Sequence, residues 1–348
     1  MKRLSVARIA TDTPMGAQAY QAQIISRAPS ALGPDWSVRE LVFRSLRSPL
    51  PGNRRLPLGR VTSAPASVRR EIGRMLFAGD TVSHRMSLEL PPSPHADVIT
   101  LHDVVAWRFA DESAPVPAAV DEARRAAAVI CVSEFTAREA AEFLGVQDPL
   151  VVPNGVDPRY YDAEPADAAA LALLGLRGPY VLHAGGAAER KNLAALASAW
   201  PLVHRERPDL TLALAGPPHP RRTALFDGMP GTVMLGRLPD ETMPGLVAAA
   251  SVVVVPSLYE GFGLPALEAM AAGVPVVAAS TSSLPEVVGA AGILVAPTAE
   301  GIVDGLLQAT SGDAAVAALI AAGRARAAEF TWERSAAGHA RVWNSVGL

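Results

Sequence analysis

Ser251-Val-Val-Val-Val-Pro-Ser-Leu-Tyr-Glu-Gly-Phe-Gly-Leu-Pro-Ala-Leu-Glu-Ala-Met-Ala-Ala-Gly-Val-Pro-Val-Val-Ala-Ala279 is the stretch on which the fold turns. Residues 252–255 are β-branched, too short a run for a helix and apolar on both faces, which is the pattern of a buried parallel strand. Pro256 ends it. Gly261 and Gly263 open a loop whose backbone is free to take positive φ and to approach a ligand closely. Pro265 stands at the first helical position, where its fixed φ and missing N–H fit. The helix is expected to reach Ala272, with Gly273 as the residue just past its end. Residues 274–278 read as the next buried strand. This is a strand–glycine loop–helix–strand unit with a helix N-terminus pointed at the loop.

Such an N-terminus offers unpaired N–H groups and the positive end of a dipole to a phosphate. Two carboxylates flank it: Glu260 at the loop entry and Glu268, expected in the first helical turn. Carboxylates repel a diphosphate, so their chemistry lies in accepting hydrogen bonds from sugar hydroxyls, as an acidic residue does from a ribose diol. Two other readings fit the same residues. Gly261-Phe-Gly-Leu-Pro-Ala266 matches a G-x-G-x-x-A dinucleotide fingerprint with Glu286 about 20 residues on, although that fingerprint normally follows the first strand of a domain. A turn of purely structural purpose is the other.

A length of 348 residues suggests two domains. Half the residues are hydrophobic and 19% are charged, enough for sizeable cores, and 30 Pro and 28 Gly suit many short strand–helix connections. The single cysteine, Cys131, excludes an internal disulfide and a cysteine metal cluster, and its setting in Ala128-Val-Ile-Cys-Val-Ser133 reads as a buried strand. No apolar run reaches the length of a membrane span, and the N-terminus lacks the apolar core of a signal peptide. The cytoplasm, or the inner face of a membrane, is the expected location. Net charge is −3, yet residues 1–90 hold 14 Lys+Arg against 6 Asp+Glu, leaving 17 against 28 for the remainder. That asymmetry of +8 against −11 points to an anionic partner for the first part, or to arginines that only solvate its surface.

Along the chain, a strand is expected over 4–10, a loop over 12–17, a helix from Gly16 to Ala28 and a strand over 36–42. Residues 43–65 carry Arg44, Arg47, Arg54, Arg55 and Arg60 among Ser and Pro and read as a long mobile loop. A short helix over 68–77 adds Arg69, Arg70 and Arg74. All of these but Arg60 are expected to form a basic surface beside an anionic acceptor. Aromatic interleaving is missing, so nucleic acid is not the expected partner. Residues 97–103 form a strand ending at His102-Asp103, at the end of a parallel strand where open α/β sheets bind ligands. Ser133 caps a helix over 134–144, Asn154-Gly155 is a turn, and 158–178 reads as an interdomain linker. The second part begins with a strand and a glycine turn at Gly185-Gly186, followed by Arg190-Lys191. Helices are expected over 193–200, over 240–250 with Asp240 as its cap, within 299–328, and over 332–346.

Glu260-Gly-Phe-Gly-Leu-Pro-Ala-Leu-Glu268 resembles the Glu-x7-Glu signature of family 4 retaining glycosyltransferases. His102-Asp103, Ser133-Glu-Phe-Thr136, Pro153-Asn-Gly-Val-Asp157, Arg190-Lys-Asn192 and Leu284-Pro-Glu286 resemble further segments of that family, in its order. The likeness covers residues 97–348 well and 1–96 weakly. It implies the α/β GT-B fold: two Rossmann-like parallel-sheet domains facing across a cleft. The N-terminal, acceptor-side domain would span 1–165, with the helix 332–348 packing back on it, and the nucleotide-sugar domain would span 176–331. By the same resemblance, Glu268 binds the ribose and Glu260 contacts the donor sugar. The backbone of Gly261, Phe262, Gly263 and Leu264 lies near the sugar and diphosphate. Gly16 and Gly185 face the diphosphate, Arg190 and Lys191 hold it, and the loop at Gly236-Arg237-Leu238 holds the base through its main chain. His102 lies close to the donor sugar or the acceptor. Two departures stand out: Met15-Gly16-Ala17 is poorer in glycine than usual, and Gly185-Gly186 stands where many members have Gly-Arg.

The implied activity is retaining transfer of a sugar from a nucleoside-diphosphate sugar to a glycan or lipid-linked acceptor. The leaving phosphate takes the acceptor proton. No cofactor and no metal are implied, and the chain has no Asp-x-Asp motif. Gly185-Gly186 with Glu189-Arg-Lys-Asn192 leans toward a GDP sugar such as GDP-mannose, with UDP sugars open. Contact with an anionic membrane would be peripheral. An inactive sugar-nucleotide-binding protein and a sugar-nucleotide epimerase of the same fold are the alternatives.

Overall fold

A computed structural model describes residues 1–12 and 16–348. Part of the expected loop over 12–17, including Met15, lies outside the described residues. The chain divides into two compact units, Met1–Gly155 with Trp332–Leu348, and Val156–Thr331.

The first unit is built on a parallel sheet of seven strands: β1 (Lys2–Ile9), β2 (Trp36–Ser45), β3 (Arg54–Leu56), β4 (Val82–Arg85), β5 (Ala96–Leu101), β6 (Ala128–Cys131) and β7 (Leu150–Val151). Their order is β3-β2-β1-β4-β5-β6-β7, so the winding reverses between β1 and β4. Leu4, Val6, Val82, Val98 and Ile130 are buried on one face against Tyr20 and Ile24 of the helix Gly16–Leu32 and Trp343 of the C-terminal helix Trp332–Val346. The return of that last helix is fixed by polar contacts as well. Trp343 Nε1 donates to His84 Nδ1 at 3.2 Å, and the Tyr20 hydroxyl lies 2.5 Å from His339 Nε2 and 3.0 Å from the Thr100 hydroxyl.

The second unit carries β8 (Tyr180–Ala184), β9 (Thr211–Ala215), β10 (Thr232–Gly236), β11 (Val252–Val255), β12 (Val276–Ala279) and β13 (Ile293–Val295), all parallel, in the order β10-β9-β8-β11-β12-β13. Here the winding reverses between β8 and β11. Val252 and Val254 point into a core with Trp200, Leu196 and Leu306, and Val253 and Val255 are buried on the other face. Parallel strands covered on both faces account for the unbroken valine run.

Several elements differ from expectation. Residues 43–65 are not one long loop. β2 continues to Ser45, β3 pairs along its edge (Phe43↔Arg54, Ser45↔Leu56), and a short helix spans Leu58–Thr62. Residues 158–178 are no bare linker: they hold a 3-10 turn Pro158–Tyr160 and the helix Ala168–Leu173, both in the second unit. The helix expected to stop at Trp200 runs from Leu193 to Glu206 through Pro201, carried by its buried Leu196, Ala199, Trp200 and Val203. Asp240 caps nothing; the helix there is Met243–Ala248, and Asp240 pairs with Arg159 at 2.8 Å. Among the described residues no single helix is long and apolar enough to cross a membrane.

The basic surface is corrected at one position. Arg69 is fully buried: its guanidinium meets Glu122 at 2.6 Å and the carbonyls of Val61, Leu88, Glu89 and Leu90. Arg85 lies beside it, bonded to Asp97 at 2.7 Å and to Glu122 at 3.0 Å. Removing either carboxylate would strand a buried cation, so these arginines serve the fold. Arg44 is half-buried and donates to the Ser48 carbonyl. Arg47, Arg54, Arg55, Arg60, Arg70 and Arg74 remain exposed, Arg74 in an ion pair with Glu71.

Candidate active site

In an open parallel sheet the ligand crevice lies beyond the strand C-termini where the winding reverses. In the second unit that point is between β8 and β11, and both of their following loops carry the marked residues. β8 runs into Gly185-Gly186, then a 3-10 turn at Glu189–Lys191. β11 runs into Pro256, Ser257 and Glu260.

The two loops are joined by charge. Lys191 Nζ donates to Glu260 Oε1 at 2.6 Å, Arg190 reaches Oε2 at 3.4 Å, and the Ser257 hydroxyl donates to Oε1 at 2.7 Å. Glu260 is 6% exposed. Burial alone would raise its carboxyl, but the adjacent Lys191 and Arg190 outweigh that and hold it below the ordinary range. The backbone of Glu260 is fixed too: its N–H donates to the Ser282 hydroxyl at 3.0 Å, and the Ser283 hydroxyl donates to its carbonyl at 2.8 Å. Asn192, at φ +55°, staples the cluster by donating to the carbonyls of Pro256 and Pro297. Lys191 and Arg190 thus gather two cations around one carboxylate at the strand ends.

The glycine loop then enters the helix Leu264–Ala271. Gly263 is its N-cap at φ +104°, and a Cβ there would stand 2.7 Å from Leu284 Cδ2, so no other residue fits without strain. Phe262 is buried edge-on against Phe330. Glu268 falls in the second helical turn, not the first, because the helix begins at Leu264 and 3.6 residues complete a turn. Its carboxyl accepts a hydrogen bond from the buried Tyr160 hydroxyl, near Asp157, Arg159 and Asp240. Burial, with the neighbouring Asp240 and Asp157, pushes it up to about 7, against the opposing pull of Tyr160 and Arg159. Arg237 is exposed and Leu238 half-buried on the loop after β10.

At the reversal point of the first unit, between β1 and β4, a cavity of about 530 Å³ is lined by Gln18, Gln21, Glu89, His102, Asp103 and Trp107, among others. His102 follows β5, edge-on to Tyr20 with ring centroids 4.5 Å apart. Burial and His339 pull its imidazole down to about 4, so it is neutral at pH 7. His102 Nε2 and Gln21 Oε1 are both buried there without a hydrogen-bond partner. Among the described residues no lysine or arginine lines this cavity. Gly16 opens the adjacent helix and is exposed. Among the described residues no group of three or more His, Cys, Asp or Glu is placed to hold a metal ion.

Sequence reasoning missed Tyr160, Ser257, Ser282, Ser283 and the buried His183 and Arg222. Ser257 was findable, lying just past a parallel strand. Tyr160 reaches Glu268 across more than a hundred residues and leaves no local signal.

Two reversing parallel sheets, one with a cation pair and a helix N-terminus beyond its strand ends, define a GT-B glycosyltransferase. Residues 34–160 match the family profile described as Glycosyltransferase Family 4, and residues 178–311 match that described as Glycosyl transferases group 1. O-antigen chain mannosyltransferase B of Escherichia coli is 32% identical over 298 residues, covering 76% of this chain and 74% of that one. The chain belongs to glycosyltransferase family 4. Among solved structures, sucrose-phosphate synthase of Thermosynechococcus elongatus superposes with a TM-score of 0.75 at 22% identity, over 99% of each chain. HepE of Anabaena, in complex with UDP and glucose, does so with 0.72 at 22%, over 99% of this chain and 100% of that one.

Proposed function

We propose that this glycosyltransferase moves a sugar from a nucleoside-diphosphate donor to a hydroxyl of an uncharged glycan, with retention at the anomeric carbon and without a metal ion. The observation that carries the reading is the Lys191–Glu260–Arg190 cluster at the β8/β11 reversal, beside the Gly263 helix N-terminus. A departing diphosphate gains negative charge, and preorganised cations and backbone N–H groups stabilise it without reorganising. Lys191 and Arg190 supply the charge that a divalent ion would otherwise bring. Glu260, fixed by Ser257 and Ser282, orients the sugar hydroxyls and faces the positive charge that develops on the ring. Glu268 accepts hydrogen bonds from the ribose diol, Gly261, Phe262, Leu264 and Gly185 line the path of sugar and diphosphate, and the main chain at Arg237 and Leu238 holds the base. The leaving phosphate takes the acceptor proton. A mannosyl donor is favoured by the mannosyltransferase relative, and Gly185-Gly186 with Glu189-Arg-Lys-Asn192 favours its carriage on GDP.

The acceptor reading rests on the cavity of the first unit. It presents a neutral His102, Gln18, Gln21, Trp107 and two carboxylates, and, among the described residues, no lysine or arginine. Gln21 Oε1 needs a donor, which a sugar hydroxyl offers and a fully ionised phosphate does not. The exposed arginines lie on the loop after β2 (Arg47), on β3, on the helix Leu58–Thr62 and on the helix Ala66–Leu76, outside that cavity, and suit peripheral contact with an anionic membrane carrying a lipid-linked glycan. Thermal shift against GDP, UDP and their common sugars tests the donor half. A nucleotide at 100 times its dissociation constant stabilises the fold by about 2.7 kcal/mol, and no shift with any of them refutes the reading.

A further inference from the structure

The turn after β8 carries Gly185-Gly186 and no basic side chain of its own. The structure holds an arginine directly behind that turn. Arg222, on the helix Pro220–Phe226 that follows β9, is 2% exposed. Its guanidinium donates to the Gly185 carbonyl at 2.5 Å, the Gly186 carbonyl at 3.1 Å and the Pro217 carbonyl at 2.9 Å. Among the described residues Arg222 forms no ion pair, and its buried Nε has no hydrogen-bond partner. Arg69 and Arg85, the other fully buried arginines, are both neutralised by carboxylates. Burial pulls the Arg222 guanidinium below its ordinary value, yet an arginine stays protonated at pH 7, so a positive charge bonded only to carbonyls sits behind the turn.

Its three carbonyl bonds also set the turn's direction. In a planar trans peptide the C=O and the following N–H point opposite ways. Drawing the Gly185 and Gly186 carbonyls onto Arg222 therefore turns the N–H groups of Gly186 and Ala187 away from it. Arg221 holds the next carbonyl, Ala187, at 3.1 Å. Gly216, at φ +142°, permits this stacking: a Cβ there would stand 1.9 Å from the Gly185 carbonyl oxygen. The outer side is open, since a Cβ on Gly186 would meet nothing within 4 Å. Successive N–H groups facing one way form an anion-binding concavity, here with a cation behind it.

We propose that Arg222 is a positioning residue for the donor diphosphate: it fixes the Gly185–Ala187 turn with its N–H groups outward and supplies positive charge from beneath. This rests on the reading of that turn as the diphosphate site. Arg222→Met and Arg222→Lys are to be compared with the parent chain by calorimetry, using the diphosphate and monophosphate of whichever of guanosine and uridine binds the parent. Arg222→Met is expected to weaken the diphosphate at least tenfold and the monophosphate by less than threefold. Arg222→Lys, which keeps the charge but loses the fork, is expected to fall between. Equal losses for both nucleotides, or none, overturn the inference while leaving the donor site standing. A parent chain that binds neither diphosphate overturns both. Should Arg222→Met fail to fold, the Lys variant alone decides, by the same ratio.

Discussion

Replacing Glu268 with Gln separates stability from binding at one atom. The Glu268 carboxyl is raised from 4.5 to about 7, chiefly by burial. The folded state therefore keeps its proton where the unfolded chain has lost it. Stability contributed by that proton is complete below pH 4.5 and is lost as pH rises through 7. At about 1.36 kcal/mol per pH unit the full difference is at most about 3.4 kcal/mol. The side chain is only partly covered, and water screens it, which reduces this to roughly 1–2 kcal/mol. Gln mimics the protonated acid and still accepts from Tyr160. Glu268→Gln should match the parent near pH 5 and exceed it at pH 8.5 by about 2–8 °C, taking about 2–4 °C per kcal/mol for a domain of this size. In exchange, nucleoside-diphosphate affinity should fall about tenfold, as a charged acceptor for the ribose is lost. Parent binding near pH 7 should release a fraction of a proton, read by calorimetry in buffers of different ionisation enthalpy. A variant no more stable than the parent at pH 8.5, or one binding nucleotide equally well, refutes the reasoning.

Lys191→Met should lower kcat/KM by about 100-fold or more, the scale for losing one preorganised donor to a developing anion, and turnover like the parent's would move the diphosphate role elsewhere. EDTA should leave activity unchanged, and a loss restored by magnesium would contradict cation replacement by Lys191 and Arg190. Co-sedimentation with anionic liposomes at low salt should be reduced by Arg54→Glu with Arg55→Glu, each cation contributing on the order of 1 kcal/mol at such a surface; equal binding to neutral vesicles would remove the membrane contact.

What could be read from the chain follows how local the physics is. Val252–Val255, Gly263, Pro265 and Gly273 act through their own backbone and near neighbours, and the strand–loop–helix–strand unit they predict is observed, with Pro265 second rather than first in the helix and the next strand starting at Val276. β4 was missed because Val-Ser-His-Arg has no strand-like apolar pattern. It is buried nonetheless, since His84 finds Thr100 and Trp343, and Arg85 finds Asp97 and Glu122, all distant in sequence. The same long-range pairing took Arg69 out of the basic surface. β3 is three residues, two of them exposed arginines, and exists because β2 extends to meet it. At the site, residue types announced Glu260, Lys191 and Arg190, but the bond between Lys191 and Glu260 depends on β8 lying beside β11, which only the sheet order supplies.

The most direct test of the central claim is proton NMR of the purified chain with GDP-mannose or UDP-glucose and a neutral mannoside. The account predicts release of the nucleoside diphosphate together with a new glycosidic signal of the donor's own anomeric configuration, both abolished by Lys191→Met. A product of inverted configuration, or transfer that survives the loss of Lys191, would contradict it.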